Sequence, residues 1–279
     1  MTSPALEHLM SNKSITFIGG GNMARSLING IIQDNNDVRL CVSDPDETQL
    51  DGIRRNWPSV KTTTDNFAAI DQADVVILAV KPQVMAQVIE PLAEMAQQQK
   101  MLFISIAAGV TEEKLSTLLG GGVPVVRCMP NTPALVQSGA TGLFANEQVS
   151  KQQASLAESI LRSVGITVWF KEQHLLDAVT AVSGSGPAYF FLVMEAMQAA
   201  AEKLGIAPED AKLLTLQTAF GAAKLALESG DEPAELRKKV TSKGGTTEAA
   251  LAELMNGGLP ELFDTALQAA NNRAKELAK

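Results

Sequence analysis

Three stretches of the chain carry residue types whose spacing could do chemistry. The first is Gly19-x-Gly21-x-x-Ala24, within FIGGGNMA at 17–24. Gly19 would permit a tight turn, Gly21 would let backbone approach a pyrophosphate, and Ala24 is small enough for close helix–strand packing. The amides of the helix that starts there would face phosphate charge. A strand–turn–helix that uses glycine only to turn would look the same; the strand before, the helix after and the place near the start of the chain favour a dinucleotide. The second is Ser43-Asp44, at the end of the next apolar run. An acid there accepts hydrogen bonds from ribose hydroxyls and repels a 2′-phosphate. Arg54 and Arg55 either compensate or are solvated helix residues, so the phosphate state of the nucleotide stays open. The third is VTSKGGTTEAAL at 240–251. Gly244 and Gly245 break one helix, and Thr246 and Thr247 can cap the next. Free amides and hydroxyls at such a turn are a receptor for a carboxylate. On pattern alone, an ordinary helix–loop–helix corner is the better description.

Other chemistries are excluded or disfavoured by composition. His8 and His174 are the only histidines, which excludes a histidine-rich metal site and disfavours a His-based triad; no metal is expected. Cys41 and Cys128 sit in separate apolar runs and read as buried free thiols. A formal charge of −8 with no basic tract argues against nucleic acid or an anionic membrane surface as partner. The first thirteen residues lack a basic start and an apolar core, so no signal peptide is expected. No apolar run reads as long enough to span a bilayer. The expected location is the cytoplasm.

The elements that must position these residues follow from hydrophobic pattern. Residues 15–18, 38–42, 74–80, 101–107 and 123–129 are short aliphatic and β-branched runs, as strands buried on both faces are. Helical stretches lie between them. The fold class is α/β, a Rossmann-type doubly wound parallel sheet, in which ligands bind at the carboxyl ends of strands. From about Lys171 no strand signal survives, so 1–170 reads as the dinucleotide domain and 171–279 as an all-α domain. With 279 residues, each can bury a core. Gly186-Pro187 starts a helix, and 188–204 is apolar almost all round, broken chiefly by Glu195, Gln198 and Glu202. Such a helix must be buried. Burial on every side is easier if a second subunit covers part of it.

Six blocks in order resemble pyrroline-5-carboxylate reductases, over essentially the whole chain after its leader. They are FIGGGNMA (17–24), LAVKPQ (78–83), SIAAGV (105–110), RCMPNTPA (127–134), SGSGPAYFF (183–191) and the glycine–threonine turn (240–251). The resemblance implies a Rossmann domain followed by an all-α C-terminal dimerisation domain, a homodimer, and dimers assembled further into a ring such as a decamer. It implies NADPH or NADH as coenzyme and a small-molecule substrate. By the same match Ile18, Gly19, Gly20, Gly21, Asn22 and Met23 cradle the pyrophosphate. Asp44 and Asn66 lie at the adenosine ribose. Ala79, Val80, Lys81 and Pro82, with Ile106, Ala107 and Ala108, line the nicotinamide side. Ser242, Gly245, Thr246 and Thr247 hold the substrate carboxylate, and Thr247 hydrogen-bonds the imine as the catalytic residue. Two positions depart from the family pattern. Lys243 stands where proline is usual, and Asp44 replaces a small polar residue often found in members that use NADPH.

The implied reaction, reduction of a cyclic imine, suits this residue inventory. A protonated iminium accepts hydride readily, so neither a metal nor a strong acid is required, and alignment supplies most of the catalysis. A two-domain 3-hydroxyacid dehydrogenase would need a general base. That class resembles a helix with lysine and, four residues on, asparagine; none of Lys203, Lys212, Lys224, Lys238 or Lys243 has it. A cofactor-binding redox sensor would keep the first domain without turnover.

Overall fold

The computed structural model describes residues 9–34 and 37–278. His8 and most of the leader lie outside the described residues. In chain order the first half runs β1 (Ser14–Ile18), α1 (Asn22–Asp34), β2 (Arg39–Ser43), α2 (Glu47–Asn56), β3 (Lys61–Thr63), α3 (Asn66–Ile70) and β4 (Val75–Leu78). Then come α4 (Met85–Ile89), α5 (Ala93–Gln99), β5 (Leu102–Ser105), α6 (Glu112–Leu118), β6 (Val125–Met129) and β7 (Gly139–Ala145). After α7 (Lys151–Arg162), β8 (Gly165–Trp169) is the last strand. The sheet has the order β3-β2-β1-β4-β5-β6-β7-β8. Its five central expected strands are all present, which makes it a Rossmann-like, mainly parallel sheet.

Alternate residues of each strand feed two separate cores. Ile15, Phe17, Val75, Ile77 and Ile104 face α1, α2 and α7 through Leu27, Ile28, Leu50, Ile53 and Ile160. Ile18, Val76, Leu78 and Phe103 face the other way, onto Ile70, Met85, Ile89 and Leu115. Burial on both faces is why these strands are aliphatic throughout. The five expected strands are mutually parallel, and the one antiparallel junction joins β6 to the added strand β7. Only a single 3-10 turn, Thr132–Val136, separates them, too short for the crossover that a parallel pair requires. α7 provides such a crossover, and β7 and β8 run parallel. Cys128 is buried as expected, whereas Cys41 is only half-buried; both thiols are free.

The helical half comprises α8 (Leu175–Val179), a π-helical turn (Thr180–Gly184), α9 (Gly186–Lys203), α10 (Pro208–Ser229), α11 (Pro233–Lys239), α12 (Thr246–Asn256) and α13 (Leu259–Leu277). Strands end at Trp169, where their signal was expected to stop, yet the compact units divide later. One comprises 1–185 with 270–279, the other 186–269. The reason is that α8 stays on the sheet: a Cβ on Gly142 of β7 would meet Val179 and Leu176. Arg127 of β6 also pairs with Asp177 of α8 at 3.7 Å, both side chains nearly out of solvent. Burial pulls the Arg127 pKa down, and Asp177 opposes that shift. Asp177→Asn leaves the guanidinium buried without its counter-charge. The expected cost is about 3 kcal/mol, read as a lower denaturant midpoint, and an unchanged midpoint would make the pair dispensable.

In the unit 186–269, α9 and α10 pack on each other, joined through Gly205 at φ +93°. Within the single chain the expected burial of α9 is not met. Phe190 and Leu192 are each 66% exposed, and only Gly186 of this helix is buried. The helical run Leu175–Lys203, at 29 residues, is also long and apolar enough to cross a membrane by length and composition alone, contrary to the sequence expectation. Its π turn interrupts the regular helix and it carries Asp177, Glu195 and Glu202, features that suit packing against protein.

Candidate coenzyme and substrate sites

The register of the central strands gathers most of the expected coenzyme residues along one crest. Ile18 is level with Ser43 on one side and Leu78 on the other, and Leu78 is level with Ser105. Gly19–Met23, Ser43–Asp44, Ala79–Pro82 and Ile106–Ala108 therefore continue from four adjacent strand ends. The order β2-β1-β4 places the point where the winding reverses at β1, where a dinucleotide binds in such sheets.

Gly19 is glycine for two separable reasons. Its φ is +104°, and an added Cβ would lie 2.6 Å from the Ala79 carbonyl oxygen. Its N–H donates to the Ser43 carbonyl at 2.8 Å, and the Ala79 N–H donates to the Ile18 carbonyl at 2.8 Å. The turn is thus clamped between β2 and β4. Gly21 differs: a Cβ there would meet nothing within 4 Å, so its backbone borders open space. Ala24 is fully buried, as close packing of α1 on the sheet requires. The first amides of α1 have no acceptors within their own helix and stand at that opening. This open cradle of glycine backbone at a helix N-terminus fits a pyrophosphate.

Asp44 and Asn66 flank the end of β2. Asp44 Oδ2 accepts the Gly20 N–H at 2.7 Å, and Oδ1 accepts the Asp46 N–H at 2.9 Å. Ser43 Oγ donates to Asn66 Oδ1 at 2.6 Å. Sequence reasoning missed the supports beneath this corner. Arg25 Nε donates to the Gly20 carbonyl at 3.0 Å, and its Nη2 donates to the Gln49 side chain at 2.9 Å. Asp46 caps α2 through the Thr48 N–H, and bonds from the Thr48 hydroxyl and amide hold its carboxyl below the usual range. The D-x-T spacing was a readable cap signal; Arg25 reaches another element and leaves no local pattern.

On the helical unit, Ser242–Thr247 forms a closed turn. The Gly245 N–H donates to the Ser242 carbonyl at 3.0 Å, and Gly244 has φ +72°. The expected threonine caps are not formed: Gly245 is the N-cap of α12 and no side chain caps it. Both threonines are instead inside the helix, at its first two positions, where their amides have no intrahelical acceptors. Thr247 is half-buried, and Thr246 and Ser242 are exposed. Glu248 Oε2 accepts the Gly244 N–H at 2.6 Å and pins the turn from its far side.

Comparison with known proteins bears on both halves. A family model described as pyrroline-5-carboxylate reductase dimerisation matches residues 173–277, and one described as NADP oxidoreductase coenzyme F420-dependent matches 14–109. The chain is 50% identical over 271 residues to a pyrroline-5-carboxylate reductase of Pseudomonas aeruginosa, covering 97% of this chain and 98% of that one. It is 43% identical over 270 residues to one of Haemophilus influenzae, covering 96% and 98%. A solved pyrroline-5-carboxylate reductase from Coxiella burnetii matches with TM-score 0.92 and 50% identity over 97% of this chain and 99% of that one. A Plasmodium falciparum pyrroline carboxylate reductase with NADP bound matches with TM-score 0.83 and 27% identity over 97% and 100%.

Proposed function

The chain belongs to the pyrroline-5-carboxylate reductase family, and from that premise we propose that it reduces 1-pyrroline-5-carboxylate to L-proline with NADPH or NADH, the last step of proline biosynthesis. The observation that carries this reading is 50% identity to a named reductase across 97% of the chain. When bound, the coenzyme would supply hydride to the imine carbon, with the C=N π pair passing to the ring nitrogen. The ring nitrogen carries the proton that completes the secondary amine. No metal enters the scheme.

The protein's part is holding and aligning. Ile18 to Met23 hold the pyrophosphate, Asp44 and Asn66 the adenosine ribose, and Ala79–Pro82 with Ile106–Ala108 the nicotinamide side. On the turn that Gly245 closes, the amides of Thr246 and Thr247 and the hydroxyls of Ser242 and Thr246 hold the substrate carboxylate, helped by the positive end of α12. The Thr247 hydroxyl bonds the ring nitrogen and fixes which carbon faces the hydride. We place the enzyme in the cytoplasm as a homodimer built through α9 and its neighbours, with dimers joined into a ring such as a decamer. The negative charge leaves nucleic acid and anionic membranes outside this scheme.

Purified protein given 1-pyrroline-5-carboxylate is expected to consume reduced nicotinamide and release proline one for one. Turnover of a 3-hydroxyacid with oxidised coenzyme instead, or coenzyme binding without turnover, would overturn the assignment. Gly19→Ala tests the cradle separately. The added methyl meets the Ala79 carbonyl on a left-handed backbone, and coenzyme affinity should fall about tenfold or more in a fluorescence titration. Unchanged affinity would detach Gly19 from coenzyme binding.

A further inference from the structure

We propose that the last turn of α13 is a positioning element for hydride transfer, seating from outside the loop after β5 that lines the nicotinamide side. The inference rests on the coenzyme reading above and deepens it by naming what holds that loop in place. The loop has little hold on itself. The Ile106 N–H donates to the Leu78 carbonyl at 3.2 Å, and the Ala107 N–H reaches Ser105 Oγ at 3.4 Å. Ala108 and Gly109 donate no N–H bond among the described residues, and Ala108 is exposed. Gly109 takes φ +73° before α6 begins at Glu112. From there the chain is tied again, because Gln173 accepts the Glu112 N–H and donates to Glu113 Oε2 at 2.7 Å. The stretch 106–109 therefore depends on another element for support.

α13 supplies it. Although α13 starts in the unit 186–269, residues 270–279 belong to the same compact unit as the sheet. Ala274 is buried there, on a stretch of helix whose neighbouring residues are mostly exposed. A Cβ on Gly109 would stand 3.0 Å from the Leu277 carbonyl oxygen and 3.3 Å from the Leu277 Cβ, so the helix end lies directly against the loop. Glycine is required at 109 both by the left-handed backbone and by that contact. No flexible side-chain tip stands between the two backbones to yield, so a shift of the helix end passes to 106–108. A misplacement of about 1 Å can cost about a hundredfold in rate, which gives a remote prop of this kind its leverage.

Two variants test this from opposite sides. Ending the chain after Arg273 removes the prop, and Gly109→Ala pushes the loop off it. Each is expected to lower kcat about tenfold and to raise the isotope effect from coenzyme deuterated at the transferred position. Amide exchange at 106–109 in the protein without coenzyme should quicken about tenfold in the shortened chain. Affinity for ADP, which carries only the adenosine and pyrophosphate part, should stay within about twofold in both. The added methyl has nothing to meet once Leu277 is gone, so the two changes combined should fall well short of the product of about a hundredfold. Unchanged kcat and exchange, effects that multiply in full, or a parallel loss of ADP affinity would overturn the proposal and leave the coenzyme reading standing. Gly109→Ala carries the same test alone where the shortened chain fails to fold. Failure of the unaltered protein to bind ADP and reduced coenzyme would overturn the coenzyme reading together with this one.

Discussion

Thr247→Ala is expected to lower kcat by about a hundredfold or more while the coenzyme dissociation constant moves by less than about twofold. The asymmetry follows from where the residue sits. Thr247 occupies the second position of α12, with its backbone amide turned out at the helix start and its side chain half-buried. Alanine keeps the amide, the helix and hence the grip on the substrate carboxylate. What it loses is the hydroxyl, the one group assigned to the ring nitrogen. A small ring held by its acid alone can pivot, and the fraction of complexes with the imine carbon in line for hydride falls. KM should therefore change little beside kcat, and Thr247→Ser should restore most of the rate. Unchanged kcat in Thr247→Ala would remove the residue from the mechanism.

A charge placed on α9 should have an effect of comparable size on assembly. Phe190, Phe191 and Leu192 are each more than 60% exposed in the single chain, and Phe220 of the adjoining α10 is 61% exposed. Covering a side chain of this kind contributes about 1.5–3 kcal/mol, so a few of them account for a stable association. Leu192→Asp replaces one such contribution with a carboxylate that would have to be buried unpaired. Sedimentation is expected to show the mass falling to that of one chain at micromolar concentration. An unchanged assembly would contradict the assignment of α9 to the interface.

Legibility in the sequence followed burial. The five strands covered on both faces are continuous aliphatic runs, and each was readable to within a residue or two. β3 has three polar residues, β7 contains two glycines, and β8 alternates exposed and half-buried positions at the sheet edge. None of these produces an apolar run, and the antiparallel step at β6–β7 lies in a connection length rather than a residue type. The glycine cradle was legible because backbone conformation and the Ala79 carbonyl exclude other residues at Gly19. Long-range ties were not. Asn131 ties the 127–134 block to the 183–191 block by donating to the Ser183 carbonyl at 3.0 Å, and it also accepts the Ala140 N–H at 2.8 Å. Nothing local in M-P-N-T announces those partners. The apolar girth of α9 told that it must be covered, and the exposed helix in one chain shows that the cover is not its own.

The central claim is that the substrate's acid group sits on the Ser242–Thr247 turn while coenzyme occupies the glycine cradle. A crystal structure of the assembled protein with proline and oxidised coenzyme addresses it directly. The account predicts the proline carboxylate within hydrogen-bonding distance of the Thr246 and Thr247 amides, with the ring nitrogen on the Thr247 hydroxyl. Proline bound elsewhere, with that turn open to bulk solvent, would contradict it.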